Sequence, residues 1–171
     1  HKMRKHKDFI KELTFVIEVD GKVEGAIFYS HSKIVEKDGT EYKTISFGPV
    51  FISPEYHRKG LGRELITYSI EEAKKLGYSA ITTLGYPYHY KPYGFLGGKK
   101  YDVSMPDMNY YTGLLVLPLY KGALEGVSGY AEFSECLEVT PEEVEEFDKK
   151  LPYKEKRVQE SQEEYEKACY E

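Results

Sequence analysis

Short apolar runs alternate with tight turns over the first third of the chain, and the spacing changes to a helical one near residue 60. Residues 13–19 form a strand-like run, Asp20-Gly21 is a hairpin signal, and residues 23–35 resume with β-branched and aromatic side chains. A second turn at Lys37-Asp38-Gly39 leads into residues 42–52, a long strand interrupted by Gly48-Pro49. Proline cannot donate to a ladder and glycine relaxes the backbone, so the dipeptide predicts a bulge or a local end to pairing. From residue 61 onward Leu65, Ile66, Ile70, Ala73 and Leu76 recur at helical spacing, and Gly77 closes the helix. Residues 79–84 then read as a strand. Strand, glycine turn, helix and strand in that order make a crossover, which favours two parallel neighbours.

Beyond it, residues 85–98 are tyrosine-rich and punctuated by Pro87, Pro92 and Gly94, leaving room for at most a short helix. Residues 113–120 form a later strand. In the last third, Thr140-Pro141-Glu142-Glu143 is a helix start with Thr140 as N-cap, and Ser161 opens another charged helix. Their narrow apolar stripes are Val144, Phe147 and Leu151, then Tyr165 and Ala168. The expected class is α/β in the α+β sense: a mixed, mostly antiparallel sheet with one splayed parallel pair, flanked by helices. The expected division is a core over residues 1–125 and an acidic helical extension over residues 126–171. About 45 residues rarely support a core alone, so the extension is expected to pack on the core or on a second subunit, an arrangement compatible with a homodimer.

Length and composition narrow the function classes. A chain of 171 residues supplies one domain with an appendage. No apolar run reaches the roughly 20 residues needed to cross a bilayer. The basic start at Lys2, Arg4, Lys5 and Lys7 leads into Asp8 rather than into an apolar signal stretch. Two distant cysteines, Cys136 and Cys169, give neither a disulfide framework nor a zinc spacing, and reduced cytoplasmic thiols are the default. The net charge of −5 is carried by the tail, where residues 138–171 hold 12 acids against 6 bases. Nucleic acid and membrane are therefore not expected as partners, and no metal is expected.

Chemistry concentrates at Ile52-Ser53-Pro54-Glu55-Tyr56-His57-Arg58-Lys59-Gly60-Leu61-Gly62-Arg63, which joins a strand to a helix. A helix start has unpaired N–H groups and a positive dipole end, and Gly60 and Gly62 let an anion approach without a Cβ in the way. Arg58, Lys59 and Arg63 add positive charge. A dinucleotide fingerprint needs a third glycine where Leu65 stands, and a phosphate loop needs Gly-Lys-Ser/Thr, which is absent. Taken alone, the turn reads equally well as an ordinary tight turn.

It resembles the pyrophosphate-binding motif of the GNAT acetyltransferase superfamily, Gln/Arg-x-x-Gly-x-Gly/Ala between a strand and a helix, with His57 at the Gln/Arg position. Some thirty residues on, Leu84-Gly85-Tyr86-Pro87-Tyr88-His89-Tyr90-Lys91-Pro92-Tyr93-Gly94-Phe95 is similar to the segment ending in Tyr-x-x-x-Gly-Phe, especially in the branch of bacterial predicted N-acetyltransferases. The resemblance covers residues 8–120. It implies an acyl-CoA N-acyltransferase-like sheet whose parallel strands splay to admit acetyl-CoA as co-substrate. The family normally carries a strand and one or two helices ahead of the first strand seen here, so that part is expected to lie outside this sequence.

The resemblance also implies roles. Arg58, Lys59, Gly60, Leu61, Gly62 and Arg63 would hold the pyrophosphate. Backbone N–H groups at Phe51 and Ile52 would hold pantetheine and polarise the thioester carbonyl. Tyr90, four residues before Gly94, matches the tyrosine that many members use as general acid at the sulfur. His89 reads as a partly exposed structural histidine, with contact to the acceptor or a role as base as the alternative; His57 as a phosphate contact or a solvent-facing ring; and Tyr110 and Tyr111 as a structural cluster, with the lining of the acceptor side as the alternative. Glu18, Glu41 and Glu55 are available as a base, and nothing selects among them. The expected activity is transfer of acetyl from acetyl-CoA to the primary amine of a small molecule or peptide; a non-catalytic CoA-binding module is the alternative.

Overall fold

The computed structural model describes residues 1–170, with the backbone alone for residues 160, 161, 169 and 170, so the side chain of Cys169 lies outside the description. Strands β1 (Phe9–Val19) and β2 (Lys22–Val35) pair antiparallel around Asp20 and Gly21. Both turn residues have positive φ, 51° and 74°, the backbone that a two-residue hairpin turn requires. β1 begins at Phe9, four residues before the expected start. Charged Lys11 and Glu12 hide this stretch from a periodicity reading, and the register slips between Ile10 and Phe15.

β3 (Glu41–Ile52) pairs antiparallel with β2. Phe47 faces Tyr29 and Val50 faces Ile27, so β3 carries one extra residue at Gly48-Pro49, where the bulge was expected. The chain then crosses through α1 (Leu61–Lys75) to β4 (Ala80–Leu84), which lies parallel to β3. Ile45 and Ile81 form the one register pair of that ladder; beyond them Thr83 Oγ1 still reaches the Phe47 carbonyl at 3.4 Å, but no further residues pair. This is the expected splay. Helix α2 (Pro87–Tyr90), short strands β5 (Leu96–Gly97) and β6 (Val103–Ser104), and β7 (Leu114–Pro118) follow, with β7 antiparallel to β4.

The boundary expected at residue 125 falls inside the sheet. Gly129–Phe133 is a strand, β8, and it pairs with Ser32, Lys33, Ile34 and Val35 of β2 on the edge that β1 leaves open after Ser30. The order is β5-β7-β4-β3-β2-β8-β6, with β1 against β2. A Cβ at Gly129 would overlap the Val35 carbonyl oxygen. Gly129→Ala is therefore expected to cost about 1–3 kcal/mol and several degrees of Tm, measured by thermal denaturation, as overpacking against backbone does.

On one face of the sheet, Leu65, Ile66, Ile70 and Ala73 of α1 pack against Leu13, Ile27, Tyr29, Ile45, Phe47 and Ile81. Leu76, expected on that stripe, is about half exposed, because the helix ends at Lys75 and Gly77 turns the chain away at φ 81°. Tyr29 enters the core with its hydroxyl bonded to Ser69 Oγ at 2.9 Å. Elsewhere in the interior, Ser32 links to Thr44 at 2.8 Å and to Thr82 at 3.1 Å, joining three strands through hydroxyls.

In the tail, α3 (Pro141–Asp148) has the expected Thr140 cap, closed into a capping box with Glu143. Lys2 Nζ meets Glu143 at 3.2 Å and the His1 ring lies 5.6 Å from Phe147, so α3 touches the N-terminal segment. Among the described residues, no helix is long and apolar enough to cross a membrane.

Candidate functional site

The end of β3, the start of α1 and α2 enclose a cleft of about 960 Å³ at the splay. Phe51 and Ile52 form one wall, Arg58, Gly60, Gly62 and Arg63 the end, and Tyr90 the opposite wall. The structure thus brings together seven of the nine residues singled out in the sequence.

The turn is built by backbone chemistry. Arg58 and Gly60 both take positive φ, 62° and 93°, which swings the chain from the short helix Pro54–Tyr56 into α1. Gly60 is the N-cap and offers no side-chain cap. The N–H groups of Leu61, Gly62 and Arg63 precede the first intrahelical bond, from Glu64 N to the Gly60 carbonyl at 3.1 Å, and are left for a ligand. A Cβ at Gly62 would stand 3.5 Å from Ile52 Cγ1, an ordinary contact, so packing does not demand the glycine. Its absent side chain serves the cleft.

Lys59 and Leu61 do not line the cleft with their side chains. The Lys59 ammonium lies 4.9 Å over the Tyr56 ring, a cation–π contact. His57, open between two readings in the sequence, donates from Nε2 to the Ile52 carbonyl at 2.8 Å and ties the turn to the strand that precedes it.

Tyr90 stands where α2 turns its ring back over Gly85. A Cβ at Gly85 would come within 2.6 Å of Tyr90 Cε2, so the missing side chain makes the seat for the ring. Phe47 at 5.3 Å and Phe95 at 5.7 Å hold it from the sides. Burial, with a smaller contribution from Tyr93, pushes the phenol up to about 12 and keeps it protonated at neutral pH. Gly85→Ala is expected to displace this ring: turnover should fall, while an acetyl-CoA affinity measured by calorimetry changes by less than about tenfold.

Tyr29 is raised as well, chiefly by burial and against its Ser69 bond. A phenol raised above its unfolded value of about 10 contributes stability fully present below that pH and lost as pH rises through the folded value. Urea denaturation is therefore expected to give stability that stays level through neutral pH with respect to these two groups and declines between about pH 10 and 12.

Several sequence candidates stand elsewhere. Glu41 pairs with Lys33 at 2.5 Å on the far end of β3, and neither Glu18 nor Glu55 lines the cleft. Tyr110 donates to Asp102 at 2.5 Å and Tyr111 to Asp107, so both serve their own loop. Sequence reasoning missed Tyr86 and Tyr93 as lining residues; His89, read there as partly exposed, is exposed and lines the cleft. Gly-x-Pro at Gly85 was the available signal for the seat beneath Tyr90. Among the described residues, no cluster of three or more His, Cys, Asp or Glu could hold a metal.

A second groove, of about 670 Å³, adjoins the same gap from the other face of the sheet. Ser46, Phe47, Gly48 and Pro49 of β3 and Thr83 and Leu84 of β4 line it. Ile66 of α1 faces the first cleft, whereas Met3 and Cys136, from the small cluster on the other side, face the second. The two openings thus lie on opposite faces of the sheet.

Comparison with known proteins fits this geometry. The family model described as Acetyltransferase (GNAT) family matches residues 1–89. The chain is 28% identical over 116 residues to the uncharacterized N-acetyltransferase YhbS of Escherichia coli, covering 68% of each chain. The crystal structure of that Escherichia coli GNAT family N-acetyltransferase in complex with CoA superposes with a TM-score of 0.64 at 27% identity, covering 71% of this chain and 66% of that one. A GNAT family acetyltransferase from Brucella melitensis, in complex with acetyl-CoA, shares the fold at 22% identity and a TM-score of 0.56, covering 73% and 68%. With more than half of its length matched by the family model and both halves of the splay in place, this chain belongs to the GNAT family of acetyltransferases.

Proposed function

We propose that the chain transfers the acetyl group of acetyl-CoA to a primary amine by direct attack within a ternary complex. The observation that carries this reading is the shared cleft: a helix-start turn with two arginines, a strand end at Phe51 and Ile52 that pairs with β2 but has no partner on its β4 side, and a protonated tyrosine meet in one space. Diphosphate oxygens accept from the N–H groups of Leu61, Gly62 and Arg63, with Arg58 and Arg63 supplying charge. Pantetheine amides run along Phe51 and Ile52, where β4 has moved away. The thioester then reaches the splay, and the amine enters from the second groove.

The amine nitrogen attacks the carbonyl carbon, an N–C bond forms, and the C–S bond breaks as the tetrahedral intermediate collapses. The nitrogen must lose one proton and the sulfur must gain one. A phenol at about 12 cannot hand its proton outright to a thiolate whose acid has a pKa near ~8.5. Tyr90 therefore acts as a donor to the departing sulfur and as a relay, releasing its proton as another replaces it. His89, on the same wall, is the group placed to accept the proton from nitrogen.

The test is thiol release from acetyl-CoA with a panel of primary amines, with the acetylated product identified by mass. Amine-dependent release establishes the transfer. Tight CoA binding without release would instead establish a sensor or scaffold.

A further inference from the structure

The tail helix α4 (Glu160–Tyr170) contributes Tyr165 to the lining of the second groove. Ala168 is its one described side chain of intermediate burial; Tyr165 is 42% exposed, and Gln162, Glu163, Glu164, Glu166 and Lys167 are exposed as well. One backbone hydrogen bond ties it to the sheet, and a second continues from the same glycine. Gly113 N–H donates to the Ala168 carbonyl at 2.5 Å, and the Gly113 carbonyl accepts from Gly85 N–H at 2.9 Å. The helix is thereby joined through a single glycine to the seat of Tyr90. Tyr165 lines the second groove and stands edge-on to Tyr86, ring centroids 6.2 Å apart, and Tyr86 lines the first cleft. One ring pair thus stands between the two openings of the splay.

We infer that α4 is a lid over the amine entrance and that Tyr165 is a specificity-determining residue for the transfer. The inference rests on the acetyl-transfer reading of the site. With the lid seated, Leu84, Met105, Phe133 and Tyr165 make an apolar part of the groove's lining, beside the polar His1, Lys2 and Glu138. The acceptor it suits is a free primary amine on a small apolar body that fits within the groove. A lysine on a folded protein would have to bring its own backbone to the place that α4 occupies. The glycine at position 113 is a requirement of this closure, since a Cβ there would stand 2.5 Å from the Ala168 carbonyl oxygen.

The experiment uses the full chain and three variants, Tyr165→Ala, Tyr165→Phe and Gly113→Ala, with phenethylamine and a lysine-containing peptide as acceptors. Tyr165→Ala and Gly113→Ala are each expected to raise the ratio of kcat/KM for peptide over phenethylamine by about tenfold or more, the scale of one lost apolar contact at a discriminating wall. Tyr165→Phe keeps the ring and should keep the wild-type ratio. Acetyl-CoA affinity by calorimetry should hold in all three, which separates an opened entrance from a damaged cleft. Should Gly113→Ala fail to fold, Tyr165→Ala decides alone. An unchanged ratio in Tyr165→Ala overturns the inference. A wild-type chain that acetylates neither amine refutes the transfer reading instead, and the same two amines are then compared by calorimetry on the CoA-loaded chain. The same shift in relative affinity upholds the lid, and equal relative affinity in wild type and Tyr165→Ala overturns it.

Discussion

Replacing Tyr90 by phenylalanine is expected to lower kcat by about 10–10³-fold, within the range that loss of one proton donor costs. The ring survives the change, so the seat on Gly85 and the contacts with Phe47 and Phe95 are kept, and the fold should be unaffected. The lost hydroxyl leaves the departing sulfur without a donor. A thiolate is a tolerable leaving group, with a thiol pKa near ~8.5, which is why the loss is bounded rather than total. Affinity for acetyl-CoA should change little, because the contacts proposed for diphosphate and pantetheine are with residues 51–63 and not with the Tyr90 hydroxyl. The pH profile supplies a second check. With the phenol held at about 12, any alkaline limb of kcat below pH 11 belongs to another group and should persist in Tyr90→Phe. Wild-type turnover in Tyr90→Phe, under conditions where single-turnover kinetics show chemistry to be limiting, would remove the donor role.

The larger effect on binding is expected at Gly62. Gly62→Asp places a carboxylate at the N-terminal end of α1, where the N–H groups and two arginines would receive the diphosphate. Two unit charges about 4 Å apart at an effective dielectric of about 20 repel by about 4 kcal/mol, close to a thousandfold in affinity. Calorimetry should find acetyl-CoA binding abolished at concentrations that saturate the wild type, with the circular dichroism spectrum intact. Gly62→Ala is the informative partner: its Cβ would make an ordinary 3.5 Å contact with Ile52, so its effect measures the methyl group's obstruction of the ligand alone. Unchanged affinity in Gly62→Asp would place the diphosphate elsewhere.

The legible parts of the fold are those whose signals are local. Asp20-Gly21, Gly48-Pro49 and Gly77 each fix a backbone event by their own stereochemistry, and the helical spacing of Leu65, Ile66, Ile70 and Ala73 needs no partner to be seen. β8 is different. Gly-Tyr-Ala-Glu-Phe has one fully buried side chain, Ala131, and is a strand because Ser32, Lys33, Ile34 and Val35 have an unpaired edge almost a hundred residues earlier. β5 and β6, at two residues each, are too short for any periodicity. In the site, the turn declared itself because glycines and cations coincide at a helix start. The direction of each side chain did not: that Lys59 leans on Tyr56, that His57 bonds back to Ile52, and that Tyr110 and Tyr111 serve Asp102 and Asp107 are settled by rotamers and neighbours that spacing leaves open.

The lone register pair between Ile45 and Ile81 divides the sheet into two sub-assemblies. β1, β2, β3, β8 and β6 form one; β4, β7 and β5 form the other. Apolar packing under α1 and the Ser32, Thr44 and Thr82 hydroxyls hold them together, with few directional bonds of the kind a full ladder would supply. A ligand running along the parted strand ends would act as a staple across the seam. By mass action, a ligand at a hundred times its Kd adds about 2.7 kcal/mol to the folded state. The protein's lifetime in a protease-rich environment would then follow the ambient concentration of that ligand, so that a chain short of its acyl donor is also the chain most readily cleared.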